Sequence, residues 1–485
     1  MGIVINQSIK NTFSTYLGFA IGAINTLFLY TNFISDTYYG LVAFILSTAN
    51  IMMPLMAFGV HNTLIKFYST FKTKNSLNSF LTIMLFLPLV IVIPLGLMGV
   101  SCYNFIGDLL SKENAIVKDY IGYIFIAAVS MAYFEVFFAW TKTQMQTVFG
   151  NFMKEVFHRL AIMILLFAVF LEYITVETFI FDVIIVYVLR MIIMMFYAFS
   201  IRLPVFKLKR IENLTSIIKY SSLIIIAGSI ATVILDLDKF MLSQYIAIEG
   251  VAYYSVAIFI ATVIAVPQRS MHQIMLPLTA QYLNDNNKKA LEDLYKRSSL
   301  NLYVISGLIF LLIINNINEL YLIIPLEFRN GLIVVFLISL AKLSDTILGN
   351  NNAILFNSDY YRMVLVFGII ITVLTIILNM IFIPIYGING SAFATFIAIL
   401  IYNSIKIVFI KKKFKILPFT ENTFKLSVLL IIGIVGFYFW DFEFHPILNM
   451  LFKSIIIGSL YTIVIYKMNI SDEITLLIKK YLRLK

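Results

Sequence analysis

Ionisable side chains at Asp182, Arg190, Asp236, Asp238, Lys239, Lys342 and Asp345 stand inside runs that are otherwise apolar. A charge inside an apolar run of membrane length is costly, so by default it marks an ion or substrate path, with a partner close by. Asp236 and Lys239 are three residues apart, as are Lys342 and Asp345, and that spacing puts opposite charges on one helix face. Asp238 is rotated by about 200° from Asp236 and cannot share that face. Arg190 has no local partner, Asp182 lying two turns away toward the other end of its run. Two roles fit these residues. They are buried pairs that fix helix packing, or they are an ion-coupling set (Asp238, Asp236, Lys239) and a substrate-cavity set (Arg190, Lys342, Asp345, Asp182).

The elements that hold them are membrane spans. The chain has 485 residues, 61% hydrophobic and 13% charged, where soluble domains are about half apolar and a quarter charged. Apolar stretches of about 20 residues, enough to cross the hydrocarbon core, recur along the whole chain. The expected fold is an all-α polytopic membrane protein of about 14 transmembrane helices. Basic residues gather in alternate connections, among them Lys66/Lys72/Lys74, Arg202/Lys207/Lys219 and Lys406/Lys411/Lys412/Lys413. By the positive-inside rule both termini are expected in the cytoplasm, in a multi-pass protein of the cytoplasmic (inner) membrane. The same rule accounts for the net charge of +11 without a nucleic-acid partner.

Setting Gly40 against Ala252 aligns the first two spans with the seventh and eighth, Phe28 meeting Phe240 and Asn32 meeting Gln244. Both copies start on the same side, so they are read as parallel repeats about an axis along the membrane normal. The organisation expected is a six-helix bundle at 1–210, a second at 211–415 related by that pseudo-two-fold, and an extra helix pair at 416–485. That last segment ends in an amphipathic tail expected to lie on the cytoplasmic face.

Catalytic chemistry has little support. His61, His158, His272 and His445 do not pair at metal-ligand spacing, and no H-E-x-x-H, nucleophile elbow or phosphate-binding glycine loop occurs. Cys102 is the only cysteine. Neither an enzyme, a metal nor a cofactor is expected. Pro54, Pro88, Pro94, Pro267 and Pro384 fall within or beside spans, where freed carbonyls need other partners.

The stretches STYLGFAIGAINTLFLYTNFISDTYYGLVAF, LDLDKFMLSQYIAIEGVAYYSVA and IPIYGINGSAFATFIA resemble bacterial polysaccharide flippases of the O-antigen and capsule type. These belong to the multidrug, oligosaccharidyl-lipid and polysaccharide exporter superfamily, which also holds lipid II flippases. The resemblance implies two six-helix bundles facing each other in a V around a cavity that opens alternately to each side. It implies an undecaprenyl-pyrophosphate-linked oligosaccharide repeat unit as substrate, carried across the cytoplasmic membrane for surface polysaccharide biosynthesis. Asp238 is the one position matching an acidic residue common in the family's seventh span. Membrane lipid, H+ or Na+ as coupling ion, and polysaccharide polymerase machinery are the implied partners. The alternatives are a cation-coupled multidrug exporter of the same superfamily and a polytopic membrane enzyme or polymerase of surface glycans. The first would prefer an acid in the middle of the first span, and none lies between Lys10 and Asp36; short outer connections argue against the second.

Overall fold

The structure, a computed structural model, describes residues 2–207, 211, 213–227 and 230–482. Among them every regular element is a helix, which is the all-α class that the apolar runs require. The protein is a multi-pass membrane protein: nine helices among the described residues are long and apolar enough to cross a bilayer, or ten if one bent pair counts as a span. That is fewer than the fourteen expected, and local backbone geometry accounts for much of the difference. Some apolar runs break into shorter helices, and one very long helix contains two runs.

The chain packs as two compact units, Met1–Ser255 and Val256–Lys485. The division expected from sequence at 210/211 falls beside undescribed residues. In the first unit the helices are α1 (Gly2–Ile24), α2 (Asp36–Met56), α3 (Val60–Phe67), α4 (Lys74–Phe86), α5 (Leu89–Ser101), α6 (Tyr103–Leu110) and α7 (Ile121–Thr143). They are followed by α8 (His158–Phe170), α9 (Val176–Ile201), α10 (Leu214–Ala227), α11 (Ile230–Leu242) and α12 (Glu249–Thr262), the last crossing into the second unit. Side-chain oxygens set several starts: Ser35 caps α2, Thr73 caps α4 and Thr175 caps α9, each meeting a backbone N–H that the first turn leaves unpaired.

Helix α7 packs on α9, α2 and α3. Phe134, Phe138 and Trp140 from α7 build the core there with Leu64, Phe80 and Met194. Lipid tails are as apolar as these side chains, so close fit rather than the hydrophobic effect must hold such helices together. Two glycines supply it. A Cβ on Gly18 would stand 2.3 Å from the Glu155 carbonyl oxygen, and one on Gly40 would stand 2.1 Å from that of Ile248.

Two π turns occur in this unit. The α1 helix continues through a π turn at Asn25–Leu29 into Tyr30–Phe33, and α8 is preceded by a π turn at Met153–Phe157. They lie on facing helices, and the Asn25 side-chain amide donates to the Arg159 carbonyl at 2.7 Å. Each π turn disturbs the regular ladder of its own helix, and each packs on the regular part of the helix opposite.

In the second unit the helices are α13 (Val266–Asn284), α14 (Lys288–Ile323), α15 (Leu332–Thr346), α16 (Asn351–Asn357), α17 (Tyr361–Phe414), α18 (Glu421–Phe437), α19 (Pro446–Lys467) and α20 (Asp472–Leu482). Phe310 and Leu311 of α14 form one core with Leu426, Leu430, Ile457 and Tyr461 of α18 and α19. Tyr295, Ile354, Phe367 and Ile410 form another with α16 and α17. Glu473, at the start of α20, bonds Asn301 of α14 and stands 3.7 Å from Arg297.

The 54 residues of α17 would reach about 80 Å if straight, more than twice the hydrocarbon core of about 30 Å. They are not straight. Gly387 has φ 56° and ψ −132°, a conformation essentially closed to residues with a Cβ. The rings of Phe382 and Phe393, eleven residues apart, come within 5.1 Å of each other. A continuous helix would hold those residues about 16 Å apart along its axis, so the chain doubles back at Gly387.

Candidate functional site

The first unit concentrates its buried charge where α1, α7, α8 and α9 meet. Arg190, on α9, is 7% exposed. Its guanidinium lies over the ring of Phe134 at 4.3 Å and that of Tyr187 at 4.7 Å. Desolvated cation–π contacts of this kind are worth about 2 kcal/mol, so aromatic faces stand in for the carboxylate that the sequence lacks nearby. Its Nε is buried without a hydrogen-bond partner among the described residues. Tyr187 also packs on the His158 ring, 5.8 Å away, and His158 Nδ1 is likewise buried and unpartnered. One residue further, Arg159 lies over Phe19 and 3.8 Å from Glu155.

Glu135 completes this group. A solvated helix terminus is the ordinary reading of an acid at that depth, but its carboxylate is 13% exposed and 2.5 Å from Lys154 Nζ. Asp182 stays apart: it is half-buried on α9 and makes no hydrogen bond or ion pair among the described residues. The structure therefore does not join Asp182 to Arg190. The cluster offers cationic and donor groups from Arg190, His158, Arg159 and Lys154, with two carboxylates already paired inside it. Such a set suits an anionic oxygen ligand better than a cation.

The three residues of α11 separate as their angular spacing requires. Lys239 Nζ is 3.6 Å from Asp236 Oδ1, and the other Asp236 oxygen accepts from the Asn50 amide at 2.5 Å. The pair thus ties α11 to α2. Asp238 is fully buried and accepts from the Tyr254 hydroxyl of α12 at 2.7 Å.

In the second unit, Asp345 of α15 pairs with a residue that sequence spacing does not suggest. Lys406 Nζ, on the second half of α17, is 3.5 Å from Asp345 Oδ1 and 3.4 Å from Asn352 Oδ1, and it stands over the Tyr402 ring at 4.2 Å. The second Asp345 oxygen accepts from Gln268 at 3.3 Å. Its place in sequence puts Lys406 with the basic connection of Lys411–Lys413, yet its side chain is 1% exposed. Lys342 is half-buried one turn before Asp345. A further buried pair, Glu319 with Lys453 at 3.9 Å, joins α14 to α19 beside Asn316 and Ser454. Lys453, the one lysine inside the apolar run at 446–466, was the available signal for it. Among the described residues no group of three His, Cys, Asp or Glu side chains comes together to hold a metal.

Comparisons with known proteins agree on the class. The family model described as polysaccharide biosynthesis protein matches residues 8–283. A lipid II flippase MurJ in an inward closed conformation superposes with a TM-score of 0.74 at 14% identity, over 96% of this chain and 100% of that one. An inward-facing multidrug resistance MATE transporter of the MOP superfamily gives 0.55 at 12% identity, over 86% and 95%. A MOP superfamily transporter from Pyrococcus furiosus, described as having a binding pocket of reverse polarity, gives 0.55 at 11% identity, over 84% and 95%. At such identities these likenesses establish the fold alone. A comparison with curated protein sequences gives no match.

Proposed function

The chain belongs to the polysaccharide biosynthesis protein family, and from that membership we propose that it moves an undecaprenyl-pyrophosphate-linked oligosaccharide repeat unit across the cytoplasmic membrane. The direction is from the inner to the outer leaflet, by alternating access, with both termini in the cytoplasm. The observation that carries this reading is the end-to-end likeness to a lipid II flippase, 0.74 in TM-score against 0.55 for the multidrug transporters.

The Arg190 cluster supports it chemically. A pyrophosphate needs several cationic donors held ready, and Arg190 Nε is a buried donor with nothing bonded to it among the described residues, beside an equally unpartnered His158 Nδ1. In this reading Arg190 and Lys342 are the cations for the pyrophosphate, and Asp345 is a further contact of the substrate. Asp182 takes a place at the wall of the cavity. Asp238, Asp236 and Lys239 respond to a coupling ion, H+ or Na+. The functional division runs 1–210, 211–415 and 416–485, and polysaccharide polymerase machinery would receive the product.

Deletion of the gene tests the reading. It should strip the cell of one surface glycan and leave the lipid-linked unit in the inner leaflet. An unchanged glycan with new drug sensitivity would replace it with the multidrug-exporter reading, which a MATE-like fold also permits.

A further inference from the structure

A second surface of the first unit has the form of a lipid site, away from the buried charges. Helix α4 ends at Phe86 and α5 begins at Leu89, with Pro88 at the junction. Proline cannot donate the hydrogen bond that would continue the ladder. Alongside, the chain leaves α9 and runs without regular structure through Leu203–Lys207. Thr82 holds that segment against α4: its hydroxyl accepts from the Lys207 N–H at 3.3 Å, and its one proton is shared between the Asn78 carbonyl at 2.9 Å and the Val205 carbonyl at 3.1 Å.

Between the two lies a cavity of about 630 Å³ lined by Thr82, Ile83, Phe86, Leu87, Val90 and Phe206. The one polar lining group is the Thr82 hydroxyl, already committed to the backbone, so the groove is suited to hydrocarbon. From Thr82 to Val90 it follows about 12 Å of helix, the reach of much of one acyl chain. Its Thr82 end is cationic. Lys207 is exposed and donates to Asn75 at 2.7 Å, and Arg202 donates to Tyr68 at 2.5 Å and to Asn78 at 3.1 Å. Both amide partners lie in the first turns of α4.

We propose that this groove binds one anionic phospholipid, its phosphate on Lys207 and Arg202 and one acyl chain along Phe86, Val90 and Phe206. Charge complementarity selects the head group, and the apolar lining accepts the tail without selecting it. The basic residues lie on the side that the positive-inside pattern assigns to the cytoplasm, where anionic lipids create a negative surface potential. The site does not depend on what the protein transports.

Native mass spectrometry of the purified full chain, equilibrated with vesicles of equal phosphatidylglycerol and phosphatidylcholine, tests it. Wild-type protein should retain one phosphatidylglycerol in preference to phosphatidylcholine. Lys207→Gln should lower that retention about fivefold, the worth of one basic residue near such a surface. Val90→Trp should fill the groove and abolish it, whereas Val100→Trp, at a position 80% exposed and outside the groove, should leave it intact. Both valines are exposed, so neither change threatens folding. Equal retention of the two lipids, or identical behaviour of the two tryptophan variants, would overturn the proposal. Complete displacement by equimolar undecaprenyl phosphate would overturn its choice of occupant in favour of a prenyl chain.

Discussion

Lys406 Nζ and Asp345 Oδ1 lie 3.5 Å apart, with the lysine buried and the carboxylate 31% exposed. Removing one partner of a fully buried pair costs about 3–5 kcal/mol. Asp345 keeps Gln268 and some exposure, so Lys406→Met should cost about 2 kcal/mol. Adding Asp345→Asn should restore the melting temperature in detergent. Glycan export should stay lost in the double variant; recovery of both stability and export would make the pair a packing element.

Asp238 and Tyr254 allow a cleaner separation of packing from coupling. Tyr254→Phe leaves a fully buried carboxylate short of a donor, which costs about 1–3 kcal/mol. Asp238→Asn keeps an acceptor for the same hydroxyl and should be the milder change in thermal stability. If Asp238 couples an ion, the asparagine variant should nevertheless fail to export glycan at wild-type abundance. Full export would remove it from the coupling set.

Arg190 should tolerate neither loss nor simple replacement of its charge. Arg190→Ala gives up contacts with two rings, worth about 2 kcal/mol. Lysine keeps the charge but lacks the planar fork that meets phosphate oxygens in pairs. Export should therefore fall steeply in Arg190→Ala and in part in Arg190→Lys, with the protein still in the membrane by immunoblot. Disappearance of the protein itself would assign Arg190 to packing.

Gly18→Ala should destabilise the first unit by about 1–3 kcal/mol, the usual range for overpacking, because its Cβ would meet the Glu155 carbonyl at 2.3 Å. Gly99→Ala, inside α5 where nothing lies within 4 Å, should hold or slightly raise the melting temperature.

The helical class and the membrane setting were legible because hydropathy acts over whole segments. The Asp236–Lys239 pair and the separate direction of Asp238 were legible because helix geometry fixes angles between near neighbours. What spacing could not reveal were partners brought together from distant helices: Lys406 for Asp345, Lys154 for Glu135, and the Phe134 ring that faces Arg190. Lys406 was hidden by its company, a run of lysines that ends in solvent, although the apolar residues IVFI separate it from Lys411. The π turns at Asn25 and Met153 left no compositional trace, since no glycine or proline falls within either one.

Gly387 leaves one residue, rather than a loop, between two helices of membrane length. Loop tips are where proteases cut and where inserted epitopes are tolerated, and this hairpin has no such tip. A protease would find no extended segment to cut at that corner, and an epitope inserted there would have to break a helix.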